Sequence, residues 1–293
     1  MELRHLRYFL AVAEHRHFAH AAESLGISPP TLTVQIKEIE RTLQARLFER
    51  ARSGVSLTAA GEAFLAEARA TLRQFDLAVS TGRRAGRGQL GHVALGYVGS
   101  AVFSGILQAQ AQAFRKAWPD VLLSVAELPM EQLPAMLEQG RVDIAFVRLP
   151  MRIPALLDSH VLVRDRFCVA LPGAHPLAAG AGALRPRDLA RETFIVPEQD
   201  MGLREVARRG RFTPRIGAVP GSLLAVLTQV SVGAGAAVVP DVLTRTVNLP
   251  HVAFRALAGR PIVSEVAAVF RRAERAPAVR NLIGQIVRTA PGA

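Results

Sequence analysis

Three neighbouring residues, Thr33, Val34 and Lys37, have the types and spacing that could contact DNA. A threonine hydroxyl can hydrogen-bond a base edge, and a valine can cover the methyl group of thymine. A lysine one turn along the helix can contact a phosphate, which orients a protein without specifying a sequence. An ordinary surface helix is the alternative, although an exposed Val34 on a polar face is unusual for one. The full set of candidate DNA contacts is Ser28, Pro29, Pro30, Thr31, Thr33, Val34, Lys37, Arg50, Arg52 and Ser53.

A helix that ends near Leu43 must hold these side chains. Apolar residues recur on its other face at helical spacing, and Ser28 is a suitable N-cap. The two prolines that follow Ser28 occupy a first turn in which missing N–H groups cost little. The apolar stripe of this helix is predicted to be Leu32, Ile36, Ile39 and Leu43.

Two shorter helices are predicted before this one, over residues 3–14 and 18–25, and Gly26 ends the second. Two apolar-rich helices, a glycine turn and a third helix form a helix-turn-helix. Residues 49–57 then have β-capable ends around a short polar turn, which predicts a small hairpin. The pattern therefore predicts a winged helix-turn-helix over residues 1–58.

A long helix is predicted next, from Ala59 to about Thr81. Its apolar residues keep heptad spacing for about two heptads, which favours dimerisation. Packing against its own domain is the alternative, but a small head offers little surface to a projecting helix. Residues 82–91 are rich in Gly and Arg and are predicted to be a flexible hinge, so that residues 59–91 form a linker. The predicted dimer seam is Leu65, Ala68, Leu72, Phe75 and Val79.

Composition restricts the function only loosely. The net charge of +12 suits a polyanionic partner, but it is spread over the whole chain. Cys168 is the only cysteine, which excludes an intramolecular disulfide and fits a reducing cytoplasm. We find no signal peptide and no apolar run of about 20 residues, so neither secretion nor a membrane partner is expected.

Catalytic and cofactor motifs are absent from the sequence. There is no HExxH, no phosphate-binding P-loop, no GxSxG elbow and no complete dinucleotide fingerprint, so we expect neither an enzyme nor a cofactor. Glu14, His15, His17 and His20 resemble a metal cluster, but they straddle the joint between two helices. Solvated or DNA-proximal histidines are the preferred interpretation.

Strands and helices alternate from residue 92 onward, which predicts an α/β sandwich with mainly parallel sheets. The predicted strands cover residues 93–98, 122–127, 143–147, 167–171, 194–196, 236–239 and 265–270. The predicted helices cover residues 101–117, 130–139, 202–210, 222–232 and 277–289.

The first 65 residues resemble the head of a LysR-type transcriptional regulator. The matching segments are LRYFLAVAE, the FxxAA of residues 18–22, LGIS, LTVQIKEIE, LFER and LTAAG, in the order and spacing of that family. The resemblance implies a homodimer or homotetramer on an inverted-repeat operator, with RNA polymerase as a further candidate partner. The family usually has Gln where Pro29 stands and often Arg where Val34 stands, so the operator preference of relatives does not transfer.

The rest of the chain is similar to the effector domain of that family, here residues 92–293. The resemblance implies two periplasmic-binding-protein-like lobes joined by crossing strands. Lobe I would be residues 92–161 and 266–293, and lobe II residues 162–265. Ligands in such α/β folds lie beyond the carboxyl ends of strands, between the lobes.

Gly99 and Ser100 follow a predicted strand and begin a helix, whose free N–H groups could bind an anion. A simple helix cap is the alternative for Ser100. Arg148 follows another strand and could clamp a carboxylate, and a solvent-exposed hinge arginine is the alternative. The candidate effector contacts are Gly99, Ser100, Leu128, Met130, Arg148, Pro197, Gln199 and Phe270.

The overall pattern is similar to regulators of aromatic-compound catabolism in the same family, which sense aromatic acids or muconate-like diacids. Met130 stands where muconate-sensing members commonly have a ligand-bonding Thr, which disfavours a dicarboxylate and favours a more apolar organic acid. A transport binding protein would share the sensor fold but would need a signal peptide. An enzyme with a DNA-binding head is a further alternative, because a fold does not determine function.

Overall fold

The structure, a computed structural model, describes residues 1–51 and 54–290, with the backbone alone at Arg50 and Ala51. Its contacts divide the chain into two compact units, Met1–Arg84 and Ala85–Ala293. Within the described ranges, none of the helices has the length and apolarity needed to cross a bilayer.

The first unit is a winged helix-turn-helix, as predicted. The two strands form an antiparallel hairpin in which Phe48 lies opposite Leu57. Arg52 and Ser53, which come between the two strands in the sequence, lie outside the described residues. The elements are α1 (Leu3–His15), α2 (Phe18–Ser24), α3 (Pro29–Leu43), β1 (Phe48–Ala51), β2 (Gly54–Leu57) and α4 (Ala59–Gly86).

The helix α3 begins as the sequence predicts. The Ser28 hydroxyl accepts a hydrogen bond from the Thr31 N–H (3.3 Å), and Pro29 and Pro30 fill the first turn. Near the end of α3, the Glu40 carboxylate accepts hydrogen bonds from the N–H groups of Leu47 (2.8 Å) and Phe48 (3.3 Å). These bonds tie the chain that leads into the hairpin to the helix. Leu43 is exposed at the end of the apolar stripe instead of buried.

Helix α4 is longer than predicted, and part of its apolar face packs within the first unit. It continues to Gly86, so half of the predicted hinge is helical. Arg83 and Arg84 in the last turn favour this, because cations stabilise the negative end of a helix dipole. Leu65, Ala68 and Leu72 pack against the core of the first unit. These three residues of the predicted dimer seam are therefore partnered within the chain.

The second unit contains a seven-stranded sheet with the order β10-β6-β11-β5-β3-β4, in which β9 also pairs with β6, and a separate β7-β8 pair. Its strands are β3 (Gly91–Tyr97), β4 (Val121–Glu127), β5 (Ile144–Leu149), β6 (Leu157–Pro172), β7 (Thr193–Pro197), β8 (Arg215–Gly221), β9 (Ala237–Pro240), β10 (Val252–Ala256) and β11 (Val263–Arg271). Its helices are α5 (Gly99–Val102), α6 (Ile106–Ala117), α7 (Leu133–Glu138), α8 (Met201–Gly210), α9 (Leu223–Ser231), α10 (Leu243–Thr246) and α11 (Pro277–Val287).

The expectation of mainly parallel sheets holds only in part. β3 runs parallel to β4 and β5, whereas β11 runs antiparallel to both β5 and β6. β6 has 16 residues; its first part pairs with β11 and its last part pairs with β9 and β10. β6 and β11 therefore cross between the two lobes, and the predicted lobe limits at residues 161 and 265 fall inside these strands.

Candidate functional site

The outer face of α3 is open to solvent. Val34 is 61% exposed, and Lys37, Pro29 and Pro30 are also exposed. The Thr33 hydroxyl donates its proton to the Pro29 carbonyl oxygen (2.9 Å). Thr33 can therefore offer a base edge only the lone pairs of its oxygen, which suits a base amino group as donor.

Ser28 and Thr31 are candidate DNA contacts at the N-terminal end of α3. The hydroxyls of Ser28 and Thr31 bond each other (2.7 Å) at the exposed start of α3. Arg52 and Ser53 lie outside the described residues, as does the side chain of Arg50. The rings of His17 and His20 lie against each other, with centroids 4.5 Å apart.

A cleft of about 280 Å³ opens in the second unit where several strands end. β3, β4 and β5 of lobe I contribute residues at or just after their carboxyl ends, and so do β7, β8 and β9 of lobe II. The lining residues are Gly99, Ser100, Glu127, Leu128, Pro129, Arg148, Phe167, Pro197, Glu198, Gln199, Gly221, Ser222, Leu223 and Pro240.

Six of the eight predicted effector contacts lie in this lining, and two do not. Met130 lies just outside it, where the Gln199 amide donates to its sulfur. Phe270 is buried in the core of lobe I, opposite Ile144 at the start of β5. The placement of Phe270 by topology fails because β11 is antiparallel to β5, so the late residues of β11 lie at the edge away from the cleft.

The sequence interpretation missed several lining residues. Glu127 ends β4, Pro129 lies two residues beyond it, and Glu198 follows β7, so the rule that ligands lie beyond strand ends could have found them. Pro240 ends β9, to which the same rule applies. Phe167 lies within β6 and carries no such signal. Gly221 ends β8, a strand whose RIGAVPG sequence contains residues that are poor strand formers.

Arg148 dominates the polar chemistry of the cleft. It is only 2% exposed, so it is not the exposed hinge arginine of the alternative interpretation. Its guanidinium donates to the Ser264 hydroxyl and to the Ser100 carbonyl oxygen (2.7 Å), which are neutral acceptors. Among the described residues its Nε has no partner. Burial lowers the pKa of Arg148 to about 10, and the charge of Asp165 opposes this effect.

Ser100 contributes differently from the expectation. The predicted helix over residues 101–117 is broken: α5 has only four residues, and Gly105, with a φ of 74°, begins α6. A single turn has too few aligned peptide dipoles to form the expected anion site. The positive charge of the cleft therefore comes from Arg148. Ser222 caps α9 by accepting the Ala225 N–H (3.2 Å) at the opposite wall.

Comparisons with known proteins cover both units. A family model described as "Bacterial regulatory helix-turn-helix protein, lysR family" matches residues 3–62, and one described as "LysR substrate binding domain" matches residues 86–291. The chain is 35% identical over 288 residues to the regulator YnfL of Escherichia coli, covering 96% of each chain. It is 34% identical to BudR of Raoultella terrigena over 97% of this chain and 99% of BudR. The crystal structure of full-length CbnR with its target DNA matches with a TM-score of 0.83 at 26% identity over 99% of each chain.

Proposed function

The chain belongs to the LysR family of transcriptional regulators, and on that premise we propose that its cleft binds a small organic acid that controls the DNA contacts of the head. The relatives named above are described as regulators, and none as an enzyme.

The buried guanidinium of Arg148 carries the proposal of an acid. A charged group removed from water is costly unless it is paired, and Arg148 has only neutral partners and one unpartnered nitrogen among the described residues. A carboxylate in the cleft would compensate that cost with charge-assisted hydrogen bonds. The apolar part of the wall, including Leu128, Phe167 and Leu223, favours an acid with an apolar body, such as an aromatic acid.

A homo-oligomer is part of the proposal. Beyond the part of α4 that packs on the first unit, Phe75 is 38% exposed and Leu77 is 57% exposed. Leu122 and Val125 are also exposed, on the edge strand β4. Apolar side chains on a projecting helix and a sheet edge are typical of surfaces that pair with another chain. We assign them to contacts with a second copy, as dimer or tetramer.

The test of the proposed function uses the full-length protein and the intergenic DNA beside its own gene. Fluorescence polarisation with random-sequence competitor should show competitor-resistant binding across a salt series. Benzoate and hexanoate serve as carboxylate probes, and at least one should bind by calorimetry and change the footprint or the bend of the DNA. A carboxylate that saturates the protein but leaves footprint, bending and transcription unchanged would refute the coupling.

Two variants of α3 should separate the two kinds of DNA contact. Lys37→Ala removes one phosphate contact, so it should weaken all sequences alike and reduce the slope of log affinity against log salt by about 0.9. Val34→Ala should leave that slope unchanged and reduce discrimination at one base pair, because the valine contacts a base and not the backbone.

Lys116→Ala is the matched control, since Lys116 is exposed on α6 in the second unit and is the only other lysine of the chain. Its salt slope should equal that of the wild type. An equal loss of slope in Lys37→Ala and Lys116→Ala would show that net charge, and not a phosphate contact on α3, is responsible.

A further inference from the structure

We propose that the effector is amphoteric, a carboxylic acid that also carries a cationic amino group. This inference rests on the proposed function, because it takes the pairing of the effector carboxylate with Arg148 as given. What it adds comes from two glutamates at the mouth of the same cleft, Glu127 and Glu198.

Glu127 lies beside the segment that Arg148 contacts. A Cβ atom placed on Gly99 would stand 2.5 Å from the Glu127 Oε1, so the carboxylate lies directly against the Gly99 backbone. The next residue is Ser100, whose carbonyl oxygen accepts the Arg148 Nη2 (2.7 Å). A negative charge therefore lies within a small molecule's length of the buried positive charge.

Glu198 links the lobe II wall of the cleft to the loop after β4, on the side of the opening where Glu127 lies. Its Oε1 accepts the N–H of Met130 (2.9 Å), and Met130 is only three residues after Glu127. Three residues span at most about 11 Å, so both carboxylates lie at one side of the opening. The side-chain amide of the neighbouring Gln199 donates to the Arg148 carbonyl oxygen (2.9 Å), which keeps this side of the opening close to the arginine.

Neither glutamate neutralises Arg148. No ion pair joins them to it in the described part of the chain, and the charge that raises the pKa of Arg148 against the effect of burial is that of Asp165. Of the described residues that line the cleft, the charged ones are therefore one buried cation and two exposed anions.

This charge arrangement selects among acids. A plain carboxylate is attracted by Arg148 and repelled by both glutamates, and a dicarboxylate is repelled twice over. An ammonium group on the effector would donate charge-assisted hydrogen bonds to Glu127 and Glu198 while the effector carboxylate pairs with Arg148, so that attraction replaces the repulsion.

Calorimetry on the full-length protein tests this with pairs of acids that differ by a cationic amino group. The pairs are δ-aminovalerate and hexanoate, para-(aminomethyl)benzoate and para-ethylbenzoate, and leucine and isocaproate. At least one amino acid should bind about tenfold or more tightly than its partner, which is the range of a hydrogen bond to a charged group. Tighter binding of the plain acid in every pair would overturn the inference and leave the proposed carboxylate sensor standing.

The double variant Glu127→Gln, Glu198→Gln removes both charges and retains a side-chain oxygen to accept the Met130 N–H. It should lose the tenfold preference and bind the plain acids at least as tightly as the wild type does. Glu131→Gln is the control, because Glu131 is exposed on the same loop but does not line the cleft. An unchanged preference in the double variant would identify the glutamates as solvated rim residues and refute the inference. If no acid of either kind binds the wild type, the carboxylate sensor itself fails.

Discussion

The double variant Arg148→Met, Ser264→Ala is expected to lose carboxylate binding by about 30-fold or more while the second unit keeps its stability. Truncating one member of a buried, hydrogen-bonded charge pair costs about 2–5 kcal/mol of binding free energy, and 1.4 kcal/mol corresponds to tenfold in affinity. Removing a ligand contact usually leaves the free energy of unfolding unchanged or lowers it. Here the free energy of unfolding should stay equal or rise, because an uncompensated buried charge is removed.

Ser264 is changed in the same variant for a physical reason. It is fully buried, and its hydroxyl accepts a hydrogen bond from Arg148. With methionine at position 148 the hydroxyl would lose this partner, and an unsatisfied buried polar group costs about 1–3 kcal/mol. The alanine removes that penalty, so the double variant removes the charge of the arginine without leaving the Ser264 hydroxyl unpaired.

Binding is measured as the shift in melting temperature with the carboxylate that stabilises the wild type most, since a ligand stabilises the folded state by RT ln(1 + [L]/Kd). Arg141→Met is the control, because Arg141 is an exposed arginine of the same lobe and should retain the shift. A double variant that binds within a few-fold of wild type would make Arg148 a structural residue only.

Phe9→Ala is expected to lower the free energy of unfolding of the first unit by about 3–5 kcal/mol. Phe9 is fully buried, and its ring lies 5.2 Å from that of Phe48 and 4.9 Å from that of Phe64. One side chain thus joins α1, β1 and α4. A unit of this size has a total stability of about 4–13 kcal/mol, so the loss removes much of it and should abolish specific DNA binding.

The measurement compares two thermal transitions, because the chain divides into two compact units. The transition of the first unit should move to lower temperature, and the carboxylate-dependent shift of the second unit should persist. Val34→Ala is the control: it also removes methyl groups from the first unit, but at an exposed position, so its melting should match the wild type. Unchanged melting of the first unit in Phe9→Ala would contradict the packing described here.

The first unit could be predicted closely because its signals are local. The cap at Ser28, the prolines after it and the apolar stripe of α3 lie within one helix and act over one or two turns. The prediction failed where a residue packs against residues that are distant from it in the sequence. The seam residues Leu65, Ala68 and Leu72 repeat correctly for a helix, but periodicity shows that a face is buried and not what covers it.

In the cleft, too, local patterns predicted some of the residues, and the long-range pairing of strands decided the position of others. Gly99, Ser100 and Arg148 could be chosen from the sequence because they lie at or after the carboxyl ends of parallel strands, which meet at one edge. Phe270 could not be placed correctly, because the antiparallel direction of β11 is decided by its pairing with β5 and β6. The two glutamates could have been found as lining residues from the strand ends, but the sequence could not show that their charges share a cleft with a buried arginine.

The sequence by itself determined the winged helix-turn-helix, the α/β character of the second unit and the family, because short-range periodicity, caps and motif spacing encode them. Only the tertiary structure decided that Arg148 is buried with neutral partners and that two carboxylates share its cleft. Arg148 meets Ser264 across 116 residues, and Glu198 meets Met130 across 68. Burial and the pairing of charges depend on such long-range neighbours, which no local pattern specifies.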